Sequence, residues 1–210
     1  MSSSVSLVWI TPDAEFKIAK MARVSNPQNQ NAPPDKLIAY CIRKKHWSIF
    51  EMCNMCLDIH TRRDISAQFA RHSSIRIQEF SQRYAQVTEK IEIPDLRLQD
   101  EKNRQASNTW EDEEAKAVAQ AKIEELFKQQ TEVYEWLLSQ NVAKECARSV
   151  LPICAPTHIY ANGTIRSWIH YIEARANKDA QGEHEQLANQ VKEIFVKHFP
   201  VTAKALEWTL

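Results

Sequence analysis

Gly163 and Gly182 are the only two glycines in 210 residues, and this scarcity limits the fold more than any other feature of the chain. Glycine takes positive φ freely and lets backbone come close to a ligand. With only two, the chain cannot build the Gly-x-Gly-x-x-Gly turn of a dinucleotide-binding fold. A P-loop that cradles phosphates with main-chain N–H groups is equally out of reach. Any nucleotide has to be gripped by side chains.

Side chains of that kind crowd between Arg71 and Tyr84. Arg71, Arg76 and Arg83 share this stretch with His72, Gln78, Glu79 and Gln82, interleaved with Ile75, Ile77 and Phe80. A guanidinium fork pairs with phosphate or carboxylate oxygens and stacks on flat rings. So many apolar residues do not suit an exposed loop, and so many charges do not suit a plain core. The mixture predicts a crevice for an anionic, ring-bearing molecule. Formal charge is zero, with 27 basic and 27 acidic side chains, which argues against general attraction to nucleic acid or membrane.

The length and the 43% hydrophobic content predict one domain over residues 1–210. The five cysteines are Cys41, Cys53, Cys56, Cys146 and Cys154. Cys53 and Cys56 have zinc-like spacing, but no second pair follows at finger distance, and in a strand they would face opposite sides. They are read as buried thiols with no metal. Met1-Ser2-Ser3-Ser4 has no basic or long apolar character, and no run approaches the ~20 apolar residues of a bilayer span. The expectation is a cytoplasmic protein.

Hydrophobic periodicity predicts a strand at Val5–Ile10, helices at Ala14–Met21 and Asp35–Lys45, and a half-buried strand at Cys53–Ile59. Further helices are expected at Arg63–Arg71, Glu111–Ser139, Val142–Val150, Thr164–Arg175 and Ala180–Phe199, with a strand at Tyr84–Ile93. The long helix is expected to gather Ala119, Ile123, Leu126, Phe127, Tyr134, Leu137 and Leu138 on one face. The class is α+β, helix-rich, with a small mixed sheet.

The arginine-rich stretch also closely resembles the signature of the flavin-dependent thymidylate synthases (the ThyX family), Arg-His-Arg, seven residues, then Ser. Arg71, His72 and Ser81 stand in register, and Ser73 replaces the third signature residue, arginine. Three further blocks are similar to the family's. They are His46-Trp47-Ser48-Ile49-Phe50-Glu51, Arg148-Ser149-Val150-Leu151-Pro152, and Asn162-Gly163-Thr164-Ile165-Arg166-Ser167-Trp168 through His170 to Arg175, continuing to Gln181 and Glu183. Ile49 and Met52 depart from the pattern of the block that begins at His46.

The resemblance implies a homotetramer with active sites where subunits meet, converting dUMP to dTMP with FAD, NADPH and methylenetetrahydrofolate. No cysteine attacks the pyrimidine in this family, and none here has the Pro-Cys-His setting of the classical synthases. Carried over position by position, Gln68, Glu79, Ser81, Gln82, Arg83 and Arg148 bind dUMP, and Arg175 meets the uracil as the catalytic residue. Ser25, His46, Ser48, Arg71, His72, Ser73, Gln78, Glu79, Thr164, Arg166 and His170 line FAD. No metal, nucleic acid or membrane partner is implied.

Residue by residue, plainer readings stand beside these. His46 after Lys44 and Lys45 suits a helix C-terminus. Trp47, Trp136 and Trp168 suit core or subunit contacts. Arg166 shares a helix face with His170, four residues on, whereas Arg175 points elsewhere. Two other functions fit the same residues: a flavin enzyme that hydroxymethylates or otherwise alters a pyrimidine nucleotide, and a non-catalytic nucleotide-binding module.

Overall fold

The computed structural model describes residues 3–209. In chain order the first elements are β1 (Ser4–Ile10), α1 (Ala14–Ala22), α2 (Asp35–Arg43), β2 (Asn54–Arg62), α3 (Arg63–Phe69) and β3 (Ile75–Glu79). Then come β4 (Arg97–Gln99), β5 (Ser107–Thr109), α4 (Glu113–Ser139) and α5 (Lys144–Ala147). β6 (Pro156–Thr164), α6 (Ile165–Arg175), α7 (Gly182–His198) and α8 (Pro200–Ala205) complete the series. Short 3-10 turns occupy Pro27–Asn29, Trp47–Glu51 and Arg148–Val150. One sheet has the order β1-β2-β6-β3, and β4 pairs with β5 as a separate antiparallel ribbon. The helix-rich α+β class holds.

The described chain divides into two compact units. One comprises residues 4–59, 70–78 and 160–209, and its core joins helix residues to Met55, Leu57 and Ile59 of β2. Ile18, Ile38, Phe50, Trp168, Tyr171, Leu187, Val191, Phe195 and Phe199 are all fully buried, each such aliphatic or aromatic side chain stabilising by roughly 1.5–3 kcal/mol. The Trp168 indole N–H donates to the Met55 carbonyl at 2.9 Å, which ties α6 to β2. The Glu15 carboxylate accepts from the Thr202 amide at 2.6 Å, capping the first turn of α8 from α1.

The other unit comprises residues 3, 60–69 and 79–159 and is dominated by α4. Asp112 caps that helix by accepting from the Ala115 amide at 2.9 Å, and Glu113 and Glu114 follow in its first turn. The Tyr134 hydroxyl, buried, accepts from the Val87 amide at 3.1 Å.

Glycine scarcity leaves its mark on the turns. Among the described residues the left-handed backbone positions are Asp13, Lys45, Asn141 and Glu207, with φ between 52° and 59°, and neither glycine takes one. Lys45, Asn141 and Glu207 follow α2, α4 and α8, where glycine commonly stands. Gly163 serves close packing instead. A Cβ there would lie 3.1 Å from Ile75 Cγ1 and 3.3 Å from Trp168 Nε1.

Several sequence expectations need correction. Tyr84–Ile93 is not a strand. Its alternating apolar residues find no strand to pair with, and the segment instead lines a cavity of about 750 Å³ against Phe127, Thr131 and Tyr134 of α4. The strand of that region lies earlier, at β3 within the arginine-rich stretch, and β6, the β4–β5 ribbon and α8 were not anticipated. Val142–Val150 splits into α5 and a 3-10 turn. On α4, Leu126 is 51% exposed, outside the face that buries Tyr134. Cys41, Cys53, Cys56 and Cys154 are buried free thiols, and Cys146 is exposed.

Candidate active site

The block from Thr164 to Arg175 becomes α6 because its ends and its phases agree. The Thr164 hydroxyl accepts from the Ser167 amide, starting the helix. Ile165, Trp168, Ile169, Tyr171 and Ile172 turn inward, all buried. Arg166 and His170 are left on another face, and both meet the 3-10 turn Trp47–Glu51. Arg166 Nη1 donates to Glu51, and the His170 ring stands edge-on to Trp47 at 5.7 Å. The expected sharing of a face by Arg166 and His170 holds, but each has its own partner. Ser48, in the same turn, borders a cavity of about 720 Å³ with Lys17, Lys20, Met21, Ile49 and Met52. Both departures from the family block, Ile49 and Met52, therefore line that cavity.

Arg175 ends α6, where a cation suits the negative end of the helix dipole. Its Nε–H donates to His72 Nε2 at 3.0 Å. A nitrogen that accepts carries no proton, so this His72 is neutral with its hydrogen on Nδ1. Burial, then the Arg175 and Arg71 guanidinium groups, hold its pKa below the ordinary imidazole range. The His72 ring sits edge-on to Tyr171 at 5.0 Å and to His184 at 6.4 Å. His184 on α7 is fully buried, and burial, followed by the charge of Arg175 and by His72, pushes its pKa down to about 4. Burial drives the Tyr171 hydroxyl pKa well above its usual range. Neither His184 nor Tyr171 was among the expected site residues. The signal for His184 was its phase, one face with Leu187, Ala188, Val191 and Phe195.

The remaining residues of the expected flavin set fall in this same unit with less company, apart from Glu79. Arg71, Ser73 and Gln78 are exposed around β3, and Ser25 is exposed beyond α1. His46 is exposed and meets the Tyr40 ring edge-on at 5.9 Å.

The expected nucleotide set, Arg175 excepted, lies in the unit that holds residues 79–159. Glu79 ends β3, accepts from the Thr157 hydroxyl at 2.9 Å and lies 3.6 Å from Arg63 Nη1. Gln82 is buried, and its Nε2 is a donor with no hydrogen-bond partner among the described residues. A buried amide left so costs roughly 1–3 kcal/mol, which favours a ligand acceptor there. Ser81 and Arg83 flank it and are exposed, with Arg83 Nε 2.6 Å from Glu145. Gln68 on α3 and Arg148 in its 3-10 turn are half-buried. The structure thus groups the two sets separately and brings Arg175 to His72.

A buried amide and several guanidinium forks thus stand among these residues, and comparison with known proteins gives the family. Residues 6–201 match the family described as thymidylate synthase complementing protein. A probable flavin-dependent thymidylate synthase of Paramecium bursaria Chlorella virus 1 is 51% identical over 93% of this chain and 91% of its own. The flavin-dependent thymidylate synthase of a Synechocystis strain is 46% identical over 92% of this chain and 90% of its own. Among solved structures, a UMP/dUMP methylase, PolB, from Streptomyces cacaoi bound with 5-Br dUMP has a TM-score of 0.85 at 26% identity. That match covers 98% of this chain and 94% of PolB. The chain belongs to the flavin-dependent thymidylate synthase family of methyltransferases. Among the described residues no helix is long and apolar enough to cross a membrane.

Proposed function

We propose that this chain makes dTMP from dUMP, with FAD, methylenetetrahydrofolate as carbon donor and NADPH as reductant. One observation carries the reading above the others: a neutral His72 holds Arg175 by Nε, and among the described residues its two Nη groups donate to nothing in the chain. A fixed, unspent cation is what charge developing on a uracil carbonyl requires. The Gln82 amide, Ser81 and Arg83 are suited to the nucleotide, with Arg148 on its phosphate.

The donors present fit a flavin dinucleotide. Arg71 and Arg166 offer forks to a diphosphate, and Thr164, His46 and His170 offer shorter polar contacts. The cavity beside Ser48 joins two lysines to an apolar wall that suits a flat ring. Bound FAD would relay the two electrons that turn a transferred methylene into a methyl group. The chain's own part is to orient the uracil, hold charge at its carbonyl and keep water away.

Two further elements of the proposal have support. Burial raises the pKa of Cys41, Cys53, Cys56 and Cys154, which disfavours a thiolate and agrees with a route lacking a cysteine nucleophile. Val118, Leu126, Val133 and Trp136 are 54%, 51%, 44% and 60% exposed on α4. At ~100° per residue they form one stripe, an apolar face suited to a second copy in a homotetramer with shared active sites.

The test is anaerobic reoxidation of NADPH-reduced, flavin-loaded protein with dUMP and methylenetetrahydrofolate, followed by product mass. Release of dTMP supports the proposal. A hydroxymethyl product, or protein that refuses flavin, overturns it. PolB's description as a UMP/dUMP methylase makes UMP the natural competitor substrate.

A further inference from the structure

The contact that holds Arg175 is itself held. His72 lies in the segment between α3 and β3, and the buried rings of Tyr171 and His184 approach it from α6 and α7. Groups that face His72 and carry or can take charge include Arg175 and Tyr171 from α6, His184 from α7, and Arg71 from its own segment. Tyr171 and His184 also touch each other, with ring centres 5.8 Å apart. Both are fully buried, whereas His72 is only half-buried. Water admitted beside the imidazole would favour its protonation, and an imidazolium has no lone pair for the Arg175 N–H. It would also repel Arg175 and Arg71.

We propose that His184, together with Tyr171, is a positioning residue for Arg175: the two rings wall off His72, so that its Nε2 stays an acceptor and the guanidinium stays aimed. This rests on the reading that Arg175 faces the nucleotide. His184 acts here as a dry wall rather than as an acid or base. The depressed pKa of both histidines agrees with that part.

The separating experiment uses flavin-loaded protein, ¹⁵N-histidine NMR to titrate His72, and the pH profile of kcat/KM for dUMP. His184→Leu refills the space with an apolar, non-titrating side chain, so the His72 titration and the acid limb of the profile stay where they are in the wild type. His184→Ala opens a water-sized gap. The His72 titration then rises toward ~6.5, and kcat/KM falls up to about tenfold at pH 5.5, about twofold at pH 6.5 and hardly at all at pH 8.5.

An unmoved His72 titration in His184→Ala, or equal losses in both variants at every pH, overturns the inference. If His184→Ala does not fold, His72→Gln and His72→Leu decide. Glutamine returns an acceptor that cannot titrate, so it is expected to keep turnover within about fivefold and lose the acid limb, while leucine loses tenfold or more. Equal turnover in these two overturns the inference. The underlying reading fails separately, if Arg175→Ala turns over like the wild type.

Discussion

Arg175 and Arg83 are the same side chain placed in opposite circumstances. Arg175 is backed by a neutral imidazole among buried rings, while Arg83 is 74% exposed and meets a Glu145 that is 47% exposed. Coulomb attraction across an exposed pair is screened, and such pairs contribute about 0–1 kcal/mol. Arg83 can therefore leave Glu145 for a phosphate at little cost. Arg175 has nowhere else to go. One arginine is suited to capture and the other to aim, and burial rather than residue type separates them.

The sharpest way to break that contrast is Arg175→Ala, expected to lower kcat by at least about 100-fold while flavin absorbance is retained. Arg83→Ala is expected to raise KM for dUMP about tenfold with kcat nearly unchanged. Steady-state kinetics on both variants check the pair, and a kcat loss in Arg83→Ala as large as in Arg175→Ala would erase the distinction.

The buried histidines add a pH effect of intermediate size. With a folded pKa of about 4 against an unfolded value of ~6.5, His184 binds its proton more readily in the unfolded chain. Stability is thus full above ~6.5 and falls as pH drops toward 4, by up to about 3 kcal/mol. His72 acts in the same direction. Urea unfolding at pH 7 and pH 5 should show a larger drop in wild type than in His184→Leu. The smallest effect concerns neither arginine: Glu207→Gly relieves a left-handed φ of 59° and should add about 1 kcal/mol in thermal unfolding.

Legibility in the sequence followed periodicity and failed where partners are distant. α4, α6 and α7 carried strong helical phase, and β2 announced itself by alternation. Tyr84–Ile93 was also expected as a strand, yet its Val87 amide donates to the Tyr134 hydroxyl and the segment forms no strand. For the site, the resemblance supplied residue identities but not contacts. Glu51 and Arg166 are 115 residues apart and His72 and Arg175 are 103 apart, and no local pattern records such pairs. His184 was not singled out because its neighbours on the helix's inner face, Leu187, Ala188, Val191 and Phe195, are all apolar.

Gly163 closes β6 where α6 is about to begin, and Ile75 and the Trp168 indole occupy the space a methyl group would need. The junction works as a ruler: a side chain added there would press on Ile75 and on the Trp168 indole of the helix that ends in Arg175, and both would have to give by a few tenths of an ångström. Variation across relatives at this joint should be confined to the outward side chains. An engineer wishing to graft a new segment would do better to look ahead of α4, at the exposed β4–β5 ribbon.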